Sequence, residues 1–240
     1  MHVTGRNTVG EIVAGDFRSA AVFHDFGIDF CCGGRRVLED VCRERQIDTD
    51  AVLEAVSRAC SAVTPAPAFD EWAPETLIAF IVDKHHGYVR RTLPSLTANT
   101  QKLANAHGKR HPELPEVARL IQAVAAEMLS HMAKEECVLF PYIVEVADAV
   151  REQRPIPQPP FGTIENPIRM MEDEHESAGA AMARIRELTS GYQVPPDGCT
   201  TYRVALQQLA EFERDLHAHV HLENNILFPR AKALAGAVPA

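Results

Sequence analysis

His131-Met-Ala-Lys-Glu135-Glu-Cys-Val-Leu-Phe-Pro141 and His219-Val-His-Leu-Glu223-Asn-Asn-Ile-Leu-Phe-Pro229 carry His, Glu, Leu, Phe and Pro at the same offsets, 88 residues apart. Residues four apart on an α-helix differ by about 40° around the axis and about 6 Å along it. His131 and Glu135 therefore point into one space, and so do His219 and Glu223. Lone histidines follow nearly the same offset, His86 and His175 standing 89 residues apart. The chain reads as two copies of a helix pair, each giving one histidine from its first helix and His-x-x-x-Glu from its second.

The surrounding pattern is helical. Ile168, Met171, His175, Ala178, Met182 and Ile185 recur at spacings of three and four behind Asn166 and Pro167. A second stripe runs through Val117, Leu120, Val124, Met128, His131, Glu135, Val138 and Tyr142. Another comprises Ala205, Leu209, Phe212, Leu216, His219, Glu223 and Ile226, and the first helix offers Ile78, Val82, His86, Val89, Leu93 and Leu96. Prolines within 151–160 and the run Pro195-Pro196-Asp197-Gly198 end helices between these stripes. The pattern predicts an all-α fold whose main part is an antiparallel four-helix bundle, with all six histidines and glutamates meeting at one level of its core.

Burying four imidazoles and two carboxylates without a counter-ion is costly. As a donor set free of thiolate they suit iron or manganese, and two carboxylates are natural bridges between two metal ions. The ligands must be deprotonated to bind, so occupancy should fall in acid.

With 240 residues, 46% hydrophobic and 24% charged, the chain is long enough for a sizeable core and too apolar to be disordered. The net charge of -9 opposes nucleic acid and anionic membrane as partners. No apolar run of spanning length and no secretory leader is visible, and six scattered cysteines do not form a disulfide framework, so a reducing cytoplasmic setting is expected. Proline-containing residues 63–72 read as a linker between a small helical domain, 1–62, and the bundle, 73–235. Within the small domain, short helices are expected over Val9–Val13, Phe17–Phe26, Arg36–Arg45 and Ala51–Ala59, with Ile28-Asp29-Phe30-Cys31-Cys32 in a turn before Gly33 and Gly34.

Asp83-Lys-His-His-Gly, Glu172-Asp-Glu-His175-Glu and the two repeats resemble the hemerythrin-type cation-binding domain. Asp29-Phe-Cys31-Cys32-Gly33-Gly34 resembles the N-terminal module of the di-iron repair-of-iron-centres family. The resemblance covers nearly the whole chain. It implies two iron ions with oxo and carboxylate bridges, damaged iron-sulfur proteins as partners, and restoration of clusters after nitric oxide or oxidative stress. Iron from the protein's own centre is the implied source, so the role is that of a donor more than of an enzyme; a nitric oxide or oxygen reductase and a diatomic-gas or redox sensor are the competing readings. Monomer and homodimer both fit. The resemblance also points to His107 as a further ligand, although 21 residues of straight helix would carry it about 31 Å from His86.

Other residues are read from pattern alone. The stripe and the repeat offset select His86 over His85, which is left either solvated or just behind the ligands, with replacement of His86 as the lesser alternative. Two-residue spacing puts His217 and His221 on outer faces beside His219. Cys31 and Cys32 are the candidate reactive thiols, for redox work or iron transfer. The expectation is a partly exposed thiolate favoured by neighbouring amides or by Arg35 and Arg36, in a module that the linker lets approach the bundle, the alternative being that the two are buried apolar fillers. Cys42, Cys60, Cys137 and Cys199 carry no spacing signal.

Overall fold

The computed structural model describes residues 3–61 and 67–236; residues 62–66, at the join of the expected small domain and linker, lie outside the described residues. Among the described residues there is no strand, only an isolated bridge between Thr8 and Val37. Four short helices come first: α1 (Val9–Gly15), α2 (Ser19–Asp25), α3 (Leu38–Arg45) and α4 (Thr49–Cys60). α1 opens on a capping box, with Glu11 N–H donating to the Thr8 hydroxyl at 3.2 Å and Thr8 N–H to the Glu11 carboxylate at 3.0 Å. The later helices are α5 (Pro74–Phe80), α6 (Gly87–His107), α7 (Leu114–Lys134), α8 (Phe140–Arg151), α9 (Glu165–Leu188), α10 (Thr200–His221) and α11 (Phe228–Ala235). π-helical turns at Ile81–His86, Glu135–Leu139 and Leu222–Leu227 join α5 to α6, α7 to α8, and α10 to α11.

The chain forms two compact units. One comprises Ala79–Tyr142 and Asn166–Leu216. Its polar pairs give the helix order directly. Gln122 reaches Gln101 at 3.3 Å and Arg90 reaches Glu136 at 2.8 Å, placing α6 antiparallel to α7. Arg184 with Glu116 at 3.1 Å, and His131 with Glu174 at 2.9 Å, set α7 antiparallel to α9. His85 with Asp215 at 3.0 Å, and Asn99 with Gln208 at 2.7 Å, do the same for α6 and α10, while Arg186 joins Glu213 at 2.6 Å between α9 and α10. Four helices thus close a ring.

The apolar stripes fill that ring. Every residue from Ile168 to Ile185 in the α9 stripe is buried. On α7 the stripe slips after Glu135: Val138 is 45% exposed and Leu139 is 1% exposed. The π turn causes the slip, because its i→i+5 hydrogen bonds insert one residue into the period that the sequence pattern assumed.

The other unit comprises the chain to Ile78, Ile143–Glu165 and the chain from His217 onward. Here the Cys-Cys-Gly-Gly segment packs against residues of the same unit. Its Phe30 ring lies edge-on to His217 and His221, and Asn225 donates to the Cys31 carbonyl at 2.9 Å. Arg151 pairs with Glu75 at 2.9 Å and Arg230 donates to the Trp72 carbonyl at 2.7 Å in the same unit.

Phe212 is fully buried in the ring of four helices. Phe212→Ala should cost about 3–5 kcal/mol in urea unfolding, the range for removing a buried aromatic ring. A loss below about 1 kcal/mol would place Phe212 outside the core.

Candidate metal centre

Each π turn carries a proposed ligand: His86 in the first, Glu135 in the second and Glu223 in the third. Such turns occur mostly as single insertions in α-helices and often at functional sites, because the added residue turns an inward side chain that a regular helix would point elsewhere.

In the four-helix unit, His86, His131, Glu135 and His175 are buried together, none more than 1% exposed. Glu135 Oε2 lies 3.4 Å from His86 Nε2 and 3.3 Å from His131 Nε2, and His131 Nε2 lies 2.9 Å from His175 Nε2. The His131–His175 and His131–Glu135 separations fit ligands on one ion, since two nitrogens about 2.1 Å from a metal and at right angles are about 3.0 Å apart, and the same Glu135 carboxylate also reaches His86. In the other unit His219 Nε2 and Glu223 Oε1 are 3.0 Å apart, both fully buried, which repeats the His131–Glu135 arrangement.

The imidazoles are held from behind. His86 Nδ1 meets Glu136 Oε1 at 2.6 Å, and Glu136 is also gripped by Arg90. His131 Nδ1 meets Glu174 Oε2 at 2.9 Å, and Lys134 also reaches Glu174. Burial pushes the Glu174 carboxyl up, but its bonds from Lys134 and His131 outweigh that and leave it below the ordinary carboxylate range. An ionised carboxylate only accepts, so Nδ1 carries the proton and Nε2 keeps its lone pair for a metal.

Similarity to known proteins agrees with this chemistry. A family model for the hemerythrin HHE cation binding domain matches residues 77–231, and ScdA_N, described as a domain of unknown function, matches 5–59. Iron-sulfur cluster repair protein YtfE of Musicola paradisiaca is 34% identical over 225 residues, covering 93% of this chain and 95% of its own. Iron-sulfur cluster repair protein ScdA of Staphylococcus haemolyticus is 30% identical, over 94% of this chain and 98% of its own. The chain belongs to the hemerythrin-domain iron-sulfur cluster repair family. Its fold is accordingly the all-α, hemerythrin-like bundle with a small helical segment before it.

Sequence pattern left other residues of this family member open or put them elsewhere. His85 is 5% exposed, not solvated, with its ring edge-on to Phe80 and Nδ1 on Asp215. The first π turn brings both neighbouring histidines inside. His221 is fully buried because the Cys-Cys-Gly-Gly segment covers it, and burial lowers its pKa to about 4. His107 ends α6, where Nε2 lies 3.3 Å from Cys199 Sγ and the ring is edge-on to Tyr202; the helix does not bring it to His86.

The thiol turn also differs from expectation. Cys31 is 4% exposed, and both the adjacent Cys32 thiol and burial push its pKa well above the usual thiol value. The backbone amides are committed elsewhere: those of Cys31, Cys32 and Gly33 donate to the Asp29 carboxylate at 2.9, 3.0 and 2.9 Å. Arg36 pairs with Glu44. In this position Cys31 is a protonated thiol, not a thiolate.

Glu136 and Glu174 escaped the sequence reading because they adjoin stronger candidates, yet adjacency was the available signal: Glu136 follows Glu135 and Glu174 precedes His175. Removing a carboxylate behind a metal-bound histidine typically lowers metal affinity 10–100-fold. Glu174→Ala should lower iron affinity by about that factor in chelator competition, while exposed Asp173→Ala should leave it unchanged. Equal affinities would show that Glu174 does not orient His131.

Proposed function

We propose that this protein carries two irons on His86, His131, Glu135, His175, His219 and Glu223, with Glu135 and Glu223 bridging, and supplies iron to damaged iron-sulfur proteins in the cytoplasm. The observation that carries the reading is the buried group of three imidazoles and one carboxylate in which His86 and His131 each give Nδ1 to a carboxylate and keep Nε2 for metal. The fully buried pair His219 and Glu223 repeats half of that group. The repair proteins named among the relatives support the cellular role.

Bound there, iron supplies an exchangeable, redox-active metal that a cluster stripped of iron requires. The residues of the chain set how firmly it is kept. Glu136 and Glu174 fix the ligating tautomers, and burial keeps competing water away from the Nε2 atoms. The imidazoles would hold the metal only while deprotonated, so acid would loosen it. Cys31 and Cys32 act after release, as soft acceptors that pass iron on or contact the client. His107, placed beside Cys199 at the end of α6, is left out of the ligand set.

The test is metal analysis joined to repair of a cluster-damaged dehydratase by the full-length protein. The wild type should carry about two irons, Glu135→Leu and Glu223→Leu should each carry less than about half of that, and repair should fall in proportion. The Cys31→Ser, Cys32→Ser double variant should keep its iron and repair poorly. A wild type with less than about one iron under iron-replete expression would overturn the two-iron reading, and undiminished repair by the double variant would remove the thiols from it.

A further inference from the structure

The two copies of the repeat agree at the ligands and part company beside them. With the 88-residue offset, Ala133, Lys134, Cys137 and Val138 of the first copy correspond to His221, Leu222, Asn225 and Ile226 of the second. Ala133, Cys137 and Val138 face solvent, Val138 at 45% exposure, whereas His221, Leu222 and Ile226 are at most 3% exposed. The difference lies in what covers them. Phe30 and Phe17 pack against His221, and Asn225 turns its amide into the Cys-Cys-Gly-Gly segment.

His221 Nδ1 reaches the Phe30 carbonyl of that cover at 3.4 Å, and the shortest side-chain contact to it is made by Asn225. Its Nδ2 donates to the carbonyl of Cys31 at 2.9 Å and reaches that of Phe30 at 3.3 Å, while His221 Nδ1 lies 3.2 Å away. Its Oδ1 faces two glycines. A Cβ at Gly10 would come within 2.7 Å of that oxygen, and one at Gly34 would overlap it, so the backbone can close over Asn225 only because both positions lack a side chain. Gly10 N–H in turn donates to the Gly34 carbonyl at 2.7 Å, tying α1 to the same turn. One amide thus organises the thiol turn, and it stands two residues beyond Glu223 in the same π turn.

We infer that Asn225 is a positioning residue that holds the Cys31-Cys32 turn closed against the helix carrying Glu223, so that Cys31 meets iron or a client only after this contact opens. The inference rests on the reading of these thiols as iron acceptors. It follows from a conflict within that reading: a soft acceptor must present its sulfur, and Cys31 in the closed turn is buried beside Cys32, with Sγ atoms 3.9 Å apart and Sγ of Cys31 3.2 Å from Asp29 Oδ1. Opening exposes Cys31 beside the partly exposed Cys32 and the exposed Asp29 carboxylate, three donors that already lie within 4.8 Å of one another. The closed turn protects Cys31, and the open one presents all three donors, a set of the right chemistry for a ferrous ion in transit.

The test is alkylation of the iron-loaded, full-length protein by iodoacetamide, followed residue by residue with mass spectrometry. Exposed Cys137 serves as the internal reference. In the wild type, Cys31 should react at least about tenfold more slowly than Cys137, the protection expected of a thiol reached through local opening. Asn225→Ala removes both donations and should raise the Cys31 rate by roughly tenfold, with the Cys137 rate and the iron content unchanged. Should Asn225→Ala lose iron or fail to fold, Gly34→Ala opens the turn from the opposite side without altering the π turn, and it should raise the Cys31 rate in the same way. Wild-type Cys31 reacting as fast as Cys137, or a Cys31 rate unmoved in whichever variant folds with its iron, would overturn the inference. Alkylation needs no repair assay, so it fails or succeeds independently of the double-serine test of the thiols themselves.

Discussion

A buried carboxylate is tolerated only where something repays its lost hydration; Glu213 has Arg186 for this, whereas Glu135 and Glu223, on matched segments, lie beside imidazoles. The effective penalty for an unpaired ion is several kcal/mol, comparable with the whole margin of stability of a domain. That constraint orders the surroundings. Imidazoles must stand beside the carboxylates, a metal must be available to take both kinds of donor, and a second ring of carboxylates must fix the imidazoles so that their lone pairs face the same way. Glu136 and Glu174 meet the last requirement from partly exposed positions, where ionisation is cheap and Arg90 and Lys134 are at hand. The charge balance is graded from buried donors to solvated partners.

The π turns are the backbone's part in the same solution. A regular helix offers an inward position every three or four residues, and a ligand set at one level needs several inward side chains close together. Inserting one residue at Ile81–His86 brings His85 and His86 inside together, and the insertion at Glu135–Leu139 moves the stripe from Val138 to Leu139. Each insertion weakens the local hydrogen-bond geometry, a cost that persists only where the surrounding packing and the ligands hold the turn.

The legibility of the sequence follows from this division. The helices, their apolar faces and the six buried histidines and glutamates were visible because a period of 3.6 residues and an internal repeat are properties of the chain itself. The place of His85 stayed open between solvent and the interior because a π turn changes the period without leaving a compositional mark. His221 was misplaced because its burial comes from Phe30 and Phe17, far away in sequence, and no local pattern encodes a cover supplied from elsewhere. The ionisation of Cys31 failed for a related reason: a glycine-flanked turn suggested free amides, but Asp29 had already claimed them. Polar groups in turns are contested, and the nearest short acidic side chain usually wins.

Repeat asymmetry connects these points. A duplicated helix pair begins with two equivalent faces, and solvent-facing residues in one copy show what that face requires when nothing lies on it: Ala133, Lys134 and an exposed Val138. The other copy places His221, Leu222 and Ile226 at the same offsets, a change that would be unfavourable in water and becomes favourable only under a cover. Asn225 stands at the position of Cys137 and supplies directional contacts that an apolar cover lacks, since hydrophobic burial holds a segment down without fixing its register whereas an amide donating to a chosen carbonyl does both. The buried His-x-x-x-Glu pair is the same in both copies while its neighbours differ, Asn224 standing where the first copy has Glu136 and His221 where it has Ala133. The repeat is therefore symmetric at those pairs and not around them.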